Sequence, residues 1–117
     1  MKQLPVKSLI NFSDLDKLDV RVGTIEIVED IEKSDKLVKT IIDFGEFKRT
    51  IVVGLKKERQ NPQEIVGKQA LFVVNLAPKE IFGIMSEGMF FDIGYNNDII
   101  PVLAVPEKDV PNGVCVG

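Results

Sequence analysis

A long stretch of alternating apolar residues, Val20 to Glu29, constrains the fold of this chain more than any other feature. Its apolar members are Val20, Val22, Ile25, Ile27 and Val28. A period of two is that of a β-strand with one buried face. The alternation slips by one residue near Gly23, and a slip centred on glycine indicates a bulge or a sharp bend. Small barrels need such a bend because it lets one strand serve two sheets.

Four more strands are predicted from runs of β-branched and aromatic residues bounded by turn residues. They cover Lys36–Asp43, Lys48–Val53, Lys68–Val74 and Met89–Ile93. The first two are joined by a hairpin turn in which Gly45 is available for a positive φ. Two shorter apolar stretches, Ile99–Val105 and Pro111–Val116, are predicted to add strands after these.

Two short helices are predicted from capping residues. The first spans Ser13–Leu18 with Ser13 as its cap. Its apolar residues recur at helical spacing and are expected to pack onto the domain; they are Phe12, Leu15 and Leu18. The second lies between the third and fourth strands, with Asn61 as cap, Pro62 at the first position and Gly67 at its end.

Five strands, a bent first strand and a helix between the third and fourth are typical of the oligonucleotide/oligosaccharide-binding (OB) fold. We therefore predict an all-β protein, a five-stranded OB-fold barrel with short helices and extra C-terminal strands. The 117 residues fit a single domain, with its core at about 12–93 and a C-terminal extension at 94–117. Apolar strands beyond a complete barrel suggest a homodimer contact. Packing back onto their own barrel is the alternative.

The absence of histidine excludes several classes of enzyme and metal site. Without imidazole there is no Ser-His or Cys-His pair, and with Cys115 as the only cysteine there is no zinc cluster. No Gly-rich phosphate loop is found either. These absences predict a non-catalytic binding protein without metal or cofactor. One cysteine suits the reducing cytoplasm, no apolar run could span a membrane, and residues 1–7 lack the apolar core of a signal peptide.

The net charge of −3 hides a basic middle segment. Residues 33–79 carry ten basic and five acidic side chains, whereas residues 80–117 carry one basic and six acidic. On an OB-fold the binding face is formed by strands two and three and the loops around them. The basic and polar residues expected there are Lys33, Ser34, Lys36, Lys39, Lys48 and Arg49. A positive stripe of this kind binds phosphates, and the pattern favours a nucleic-acid partner over chance segregation.

The connection between the fourth and fifth strands, Asn75–Met89, is a second candidate site. It contains three residues that favour turns, Pro78, Gly83 and Gly88. Its polar residues would be held in place by the buried strands on either side. An ordinary turn-rich connection is the alternative from composition alone.

Several motifs occur in order along the chain: Asp19–Gly23, Asp35–Leu37, Asp43–Gly45, Arg49–Val52, Gly54–Leu55, Asn75–Pro78 and Ser86–Met89. Together they resemble the structure-specific tRNA-binding domain that is appended to methionyl-tRNA synthetases and also occurs free-standing. The tail Pro111–Val114 resembles the free-standing dimeric members, which include the export chaperones called CsaA.

The resemblance implies an OB-fold that binds tRNA by shape, near its elbow, as a homodimer built partly from the C-terminal strands. Carried over by position, Lys36 and Arg49 would contact phosphate. The residues that would shape the loop after the fourth strand are Asn75, Lys79, Ser86 and Met89. Phosphate and 2′-hydroxyl contacts suit a folded RNA.

Two positions depart from the family pattern. Val53 stands where relatives usually have serine, and Phe82 stands where they often have arginine. Loss of an arginine removes a phosphate contact, whereas Phe82 could stack on a base or form an apolar contact with a peptide or a partner subunit. Two alternative functions follow: a CsaA-like chaperone dimer with unfolded polypeptide clients, and an accessory subunit of an aminoacyl-tRNA synthetase.

Overall fold

The computed structural model describes residues 1–117 and is mostly β, as predicted. Its strands are β1 Val20–Asp30, β2 Val38–Asp43, β3 Lys48–Val53, β4 Gln69–Val73, β5 Lys79–Ile81, β6 Ile84–Ser86, β7 Met89–Phe90, β8 Asp92–Ile93 and β9 Val102–Leu103. Its helices are α1 Phe12–Leu15 and two 3-10 helices, Pro62–Ile65 and Tyr95–Asn97. None of these helices has the length and apolar character that crossing a membrane would require.

Five antiparallel strands form the main sheet in the order β3-β2-β1-β4-β7. Strand β1 serves two neighbours: residues 20–24 pair with β4, and residues 24–30 pair with β2. The predicted irregularity is present, but the register shifts between Ile25 and Ile27 rather than at Gly23. Gly23 is needed for close approach, since a Cβ there would lie 2.7 Å from Ile42 Cγ2 and 2.8 Å from Phe44 Cε1.

Ser86, the last residue of β6, and Glu87, which follows it, bond the backbone of β3 and bring the sheet almost to closure. The Glu87 N–H donates to the Thr50 carbonyl at 2.8 Å, and the Glu87 carboxylate accepts from the Thr50 N–H at 3.0 Å. The Ser86 hydroxyl accepts from the Val52 N–H at 3.0 Å. The free edge of β3 is thus occupied, and the five strands form the nearly closed barrel of an OB-fold.

The barrel interior is filled by aromatic and aliphatic side chains. The Phe72 ring meets Phe44 and Phe90 edge to face, with centroids 5.5 and 4.8 Å apart. Around them pack fully buried isoleucines: Ile25, Ile42, Ile51 and Ile65. Each buried side chain of this size contributes about 1.5–3 kcal/mol, so this cluster holds the strands that present the surface loops.

Both helices form, but the first differs from the prediction. Helix α1 is capped by Asn11 rather than Ser13. Its apolar residues do not pack onto the domain as expected; Phe12, Leu15 and Leu18 are all exposed. A single turn projecting outside the barrel has no core surface to cover. The second helix is confirmed as a 3-10 turn, since the Asn61 side chain accepts from the Gln63 N–H at 3.2 Å and Gly67 has a φ of +90°.

The C-terminal part returns to the barrel. The predicted strand Met89–Ile93 is split into β7, which pairs with β4, and β8, which pairs with β9. Beyond β9, the Val22 N–H donates to the Val114 carbonyl at 3.0 Å and the Val116 N–H donates to the Val20 carbonyl at 2.8 Å. The C-terminal segment is therefore hydrogen-bonded to β1 of its own chain. The side chains of Val114 and Val116 nevertheless remain substantially exposed.

Candidate nucleic-acid interface

The Asn75–Met89 connection is a β-hairpin rather than an irregular loop. Strands β5 and β6 pair with Ile81 opposite Ile84, which leaves a two-residue turn of Phe82 and Gly83. The sequence did not reveal the hairpin because each strand is three residues long and is flanked by turn residues. Because side chains alternate along a strand, Lys79 and Ile81 face one side and line a cleft.

That cleft has a volume of about 760 Å³ and lies between β3, the hairpin and β7. Its walls are mostly apolar and include Val52, Leu76 and Met89. Lys79 is its one cationic residue and Asp92 its one anionic residue. An apolar wall with a single ammonium group favours a ligand that combines a flat or apolar part with an anionic group.

A second cleft of about 700 Å³ continues from the first. Val53, Asp92 and Tyr95 line both, and we call the joined clefts the Tyr95 groove. Lys36 and Lys57 line its far part. Tyr95 is 73% exposed and lines both clefts. Sequence reasoning missed Tyr95 and Lys57 as site residues; the signal available for Tyr95 was that it is the only tyrosine of the chain.

The carboxylates that line the groove equal its lysines in number, three of each, so the lining carries no net charge. Partial burial raises the pKa of Asp92, although its side chain remains largely exposed. Burial also raises the pKa of Glu58, and the nearby charge of Asp92 raises it further. Together with Asp98 these residues line the second cleft beside Lys36 and Lys57. The lysines are therefore separate positive charges in a groove that is not basic as a whole.

Three predicted site residues lie at the groove with free side chains. Lys36, Lys79 and Met89 are exposed and line one cleft or the other. Lys33 is exposed in the β1–β2 loop, and Lys39 is half-buried on β2, opposite Val52 in the strand register. No ammonium of these four lysines forms an ion pair within the protein.

Three further predicted site residues use their side chains to hold the fold. The Asn75 amide oxygen accepts from the Asp19 N–H at 2.9 Å, and its amide nitrogen donates to the Lys17 carbonyl at 2.7 Å. The Ser34 hydroxyl accepts from the Leu37 N–H at 3.0 Å. Ser86 is buried and bonded to β3, as described above.

Lys48 and Arg49 lie at the opposite end of β2 and β3 from Lys36. Lys48 donates to the Glu26 carboxylate at 2.9 Å, and this hydrogen bond raises the pKa of Lys48. The Arg49 guanidinium lies 4.5 Å from the centroid of the Phe47 ring. The structure does not bring these two residues to the Tyr95 groove, because the strand pair separates them from it.

Comparisons with known proteins agree with this fold. The family model for the tRNA binding domain matches residues 20–115. Methionine–tRNA ligase of Bacteroides fragilis is 42% identical over 112 residues, which are 96% of this chain and 16% of the ligase. The ligase of Methanothrix thermoacetophila is 46% identical over 107 residues, 92% of this chain and 15% of the ligase. The chain thus spans about a sixth of the length of these curated relatives.

Two solved structures are similar over nearly the whole chain. The MetRS-related protein from Pyrococcus horikoshii superposes with a TM-score of 0.86 at 34% identity, covering 95% of this chain and all of that one. The chaperone CsaA from Bacillus anthracis superposes with a TM-score of 0.80 at 31% identity, covering 94% of this chain and all of that one.

Proposed function

Because the chain belongs to the tRNA binding domain family, we propose that it is a cytoplasmic, non-catalytic tRNA-binding protein that holds RNA along the Tyr95 groove. This placement of the RNA is supported by the lysines and the aromatic ring that line the groove. Lys79 lines one cleft, Lys36 and Lys57 line the other, and the exposed Tyr95 lines both. Ammonium groups bind backbone phosphates, and an aromatic face stacks on an unpaired base.

Recognition by shape suits this arrangement better than sequence readout. Lysine contacts to phosphate fix the position of an RNA but carry no sequence information directly. The carboxylates of Glu58 and Asp92 in the groove wall oppose a second phosphate close to Tyr95. The groove therefore favours an RNA that approaches with phosphates at the lysines and a base or sugar at Tyr95. A folded RNA with exposed bases meets this requirement.

We further propose that the protein is a homodimer in which the C-terminal extension takes part. Exposed apolar side chains are concentrated at both ends of the chain. They include Val6 and Leu9, which are 96% and 98% exposed, and the half-exposed Val114 and Val116. Unpartnered apolar side chains in this number are typical of a surface that another chain covers. Since the C-terminal segment already bonds β1, it would present a fixed surface to a second copy.

Mobility shifts with bulk tRNA in low and high salt test the RNA proposal, and light scattering tests the dimer. We expect tight binding that weakens steeply as salt rises, because phosphate contacts release counterions. The double variant Lys36→Ala/Lys79→Ala should bind all tRNAs more weakly. An absence of salt-sensitive binding at micromolar protein would refute the RNA proposal, and a monomeric mass would refute the dimer.

The apolar cleft favours a second candidate function, peptide binding by a chaperone. Its volume of about 760 Å³ and its largely apolar walls suit an unfolded segment. Suppression of the aggregation of an unfolded client protein tests this function. If tRNA binds while client aggregation is unchanged, the chaperone proposal fails. Docking on an aminoacyl-tRNA synthetase, the third candidate, predicts co-purification with that enzyme.

A further inference from the structure

The turn of the β5–β6 hairpin holds a bulky residue in an unfavourable backbone conformation. Phe82 has a φ of +55° and Gly83 a φ of +81°. Two-residue hairpin turns with positive φ at both positions favour Asn-Gly, because asparagine and glycine tolerate the left-handed region. For an aromatic residue the same conformation is strained. Asp98, the other non-glycine residue with a positive φ, belongs to a type that tolerates it.

No contact with the core or with another aromatic ring offsets this strain. Phe82 is 52% exposed and lies outside the buried core cluster. It takes part in none of the aromatic pairs, which join Phe44, Phe47, Phe72 and Phe90. A strained, half-exposed residue that lies outside the core points to a role outside the folding of its own chain.

The base of the hairpin is fixed, so the tip presents Phe82 in a defined position. Ser86 and Glu87 hydrogen-bond the backbone of β3 at Val52 and Thr50. Lys79 lies on the same hairpin, three residues before Phe82, with an exposed side chain. Lys79 lies at the base of this anchored element, opposite Ser86, whereas Phe82 lies at its tip and lines neither cleft.

We infer that Phe82 is a base-stacking contact that receives the face of an unpaired base of bound RNA; this inference rests on the proposed tRNA binding. A π-face stacks on any base without needing a complementary pocket. The bases of a duplex already stack on one another, so an aromatic tip selects bases that are splayed out.

The variant Phe82→Asn tests the inference because stability and binding should change in opposite directions. Asparagine suits the left-handed position, so the melting temperature should rise by a few degrees. Affinity for bulk tRNA should fall about tenfold, the scale of one lost base stack. The slope of affinity against salt should stay unchanged, since no phosphate contact is removed. The variant Phe82→Trp should retain tRNA binding.

A fully paired, blunt-ended RNA duplex is the matched probe, and Phe82→Asn should leave its affinity unchanged. Equal tRNA binding by Phe82→Asn and the wild type would overturn the stacking contact while leaving the proposed function intact. If Phe82→Asn lowers the affinity for tRNA and for the duplex equally, the stacking contact is also overturned. The same holds if Phe82→Asn binds tRNA normally but no longer suppresses the aggregation of an unfolded client protein. A wild type that fails to bind tRNA at all would instead refute the proposed function itself.

Discussion

The hydroxyl of Ser86 accepts a hydrogen bond from the Val52 backbone N–H at 3.0 Å, across 34 residues of sequence. Both residues are buried. Strand β3 has no continuous ladder on this side, so a side chain supplies the acceptor that a neighbouring strand would otherwise provide. This contact ties the hairpin to the barrel and forms part of the wall of the apolar cleft.

Ser86→Ala is expected to destabilise the protein by about 1–3 kcal/mol, because the buried Val52 N–H would lose its acceptor. Urea unfolding measures the change. Ser8→Ala, in an exposed serine of the N-terminal segment, is the control and should change stability by about 0.5 kcal/mol or less. Unchanged stability combined with lost tRNA binding would show instead that the hydroxyl meets RNA directly.

Gly23→Ala is expected to destabilise the protein by about 1–3 kcal/mol through overpacking. The added Cβ would lie 2.7 Å from Ile42 Cγ2 and 2.8 Å from Phe44 Cε1, both buried atoms of the barrel. The midpoint of urea unfolding measures this. Gly54→Ala is the matched control, since the nearest atom to its Cβ would be the Lys36 carbonyl oxygen at 3.8 Å. Similar effects at both glycines would contradict the close-approach explanation.

Local signals in the sequence predicted the elements that depend on local interactions. The bounds of β3 and the helix at Pro62–Ile65 follow from β-branched runs and from a cap, a proline and a glycine at fixed offsets. The position of the β1 register shift was predicted only to within a few residues. The slip in the sequence pattern near Gly23 shows where the buried face of β1 changes. The register shift shows where the hydrogen bonding of β1 to β2 is interrupted, which is between Ile25 and Ile27.

Features made by distant residues could not be predicted in the same way. The closure of the barrel depends on side-chain-to-backbone bonds from Ser86 and Glu87, which no periodicity encodes. The Tyr95 groove joins Lys36 and Lys57 to a 3-10 turn far along the chain. The basic segment predicted a phosphate-binding surface, but sequence alone did not separate Lys36, which lies in the groove, from Lys48, which is paired with Glu26.

Lys36→Ala and Lys48→Ala change the net charge equally but should affect tRNA binding differently. Lys36 lines the groove without an ion-pair partner, so its loss should lower the slope of log affinity against log salt by about 0.7–0.9. Lys48 is already paired with Glu26 at 2.9 Å and lies at the far end of the strands, so its loss should change the slope less. Filter binding at several salt concentrations measures both. Equal slopes would indicate a diffuse charge effect rather than a contact.

Asp92→Asn is expected to stabilise the protein only slightly at neutral pH, because the Asp92 side chain is largely exposed and water screens much of its desolvation penalty. Burial raises the pKa of Asp92 above its ordinary value of 3.8 in the folded state, so the folded state binds this proton more readily than the unfolded state. Stability is therefore lost as pH rises from the ordinary value to the raised pKa, and the ionised carboxylate carries the full penalty above it. The asparagine side chain is uncharged, so the variant has no such desolvation penalty. The gain should be complete near neutrality and should vanish below about pH 3.8, as measured by urea unfolding across pH.

The same substitution should also strengthen tRNA binding, because Asp92 lines both clefts of the groove and its charge opposes phosphate. It should lower the pKa of Glu58 as well, since the charge of Asp92 is one cause of the rise there; NMR titration of Glu58 measures this. Asp109→Asn makes an equal charge change at an exposed residue outside the groove lining, and it should alter tRNA affinity less. If Asp92→Asn stabilises the fold but leaves tRNA affinity at the level of Asp109→Asn, the RNA does not pass over this wall of the groove.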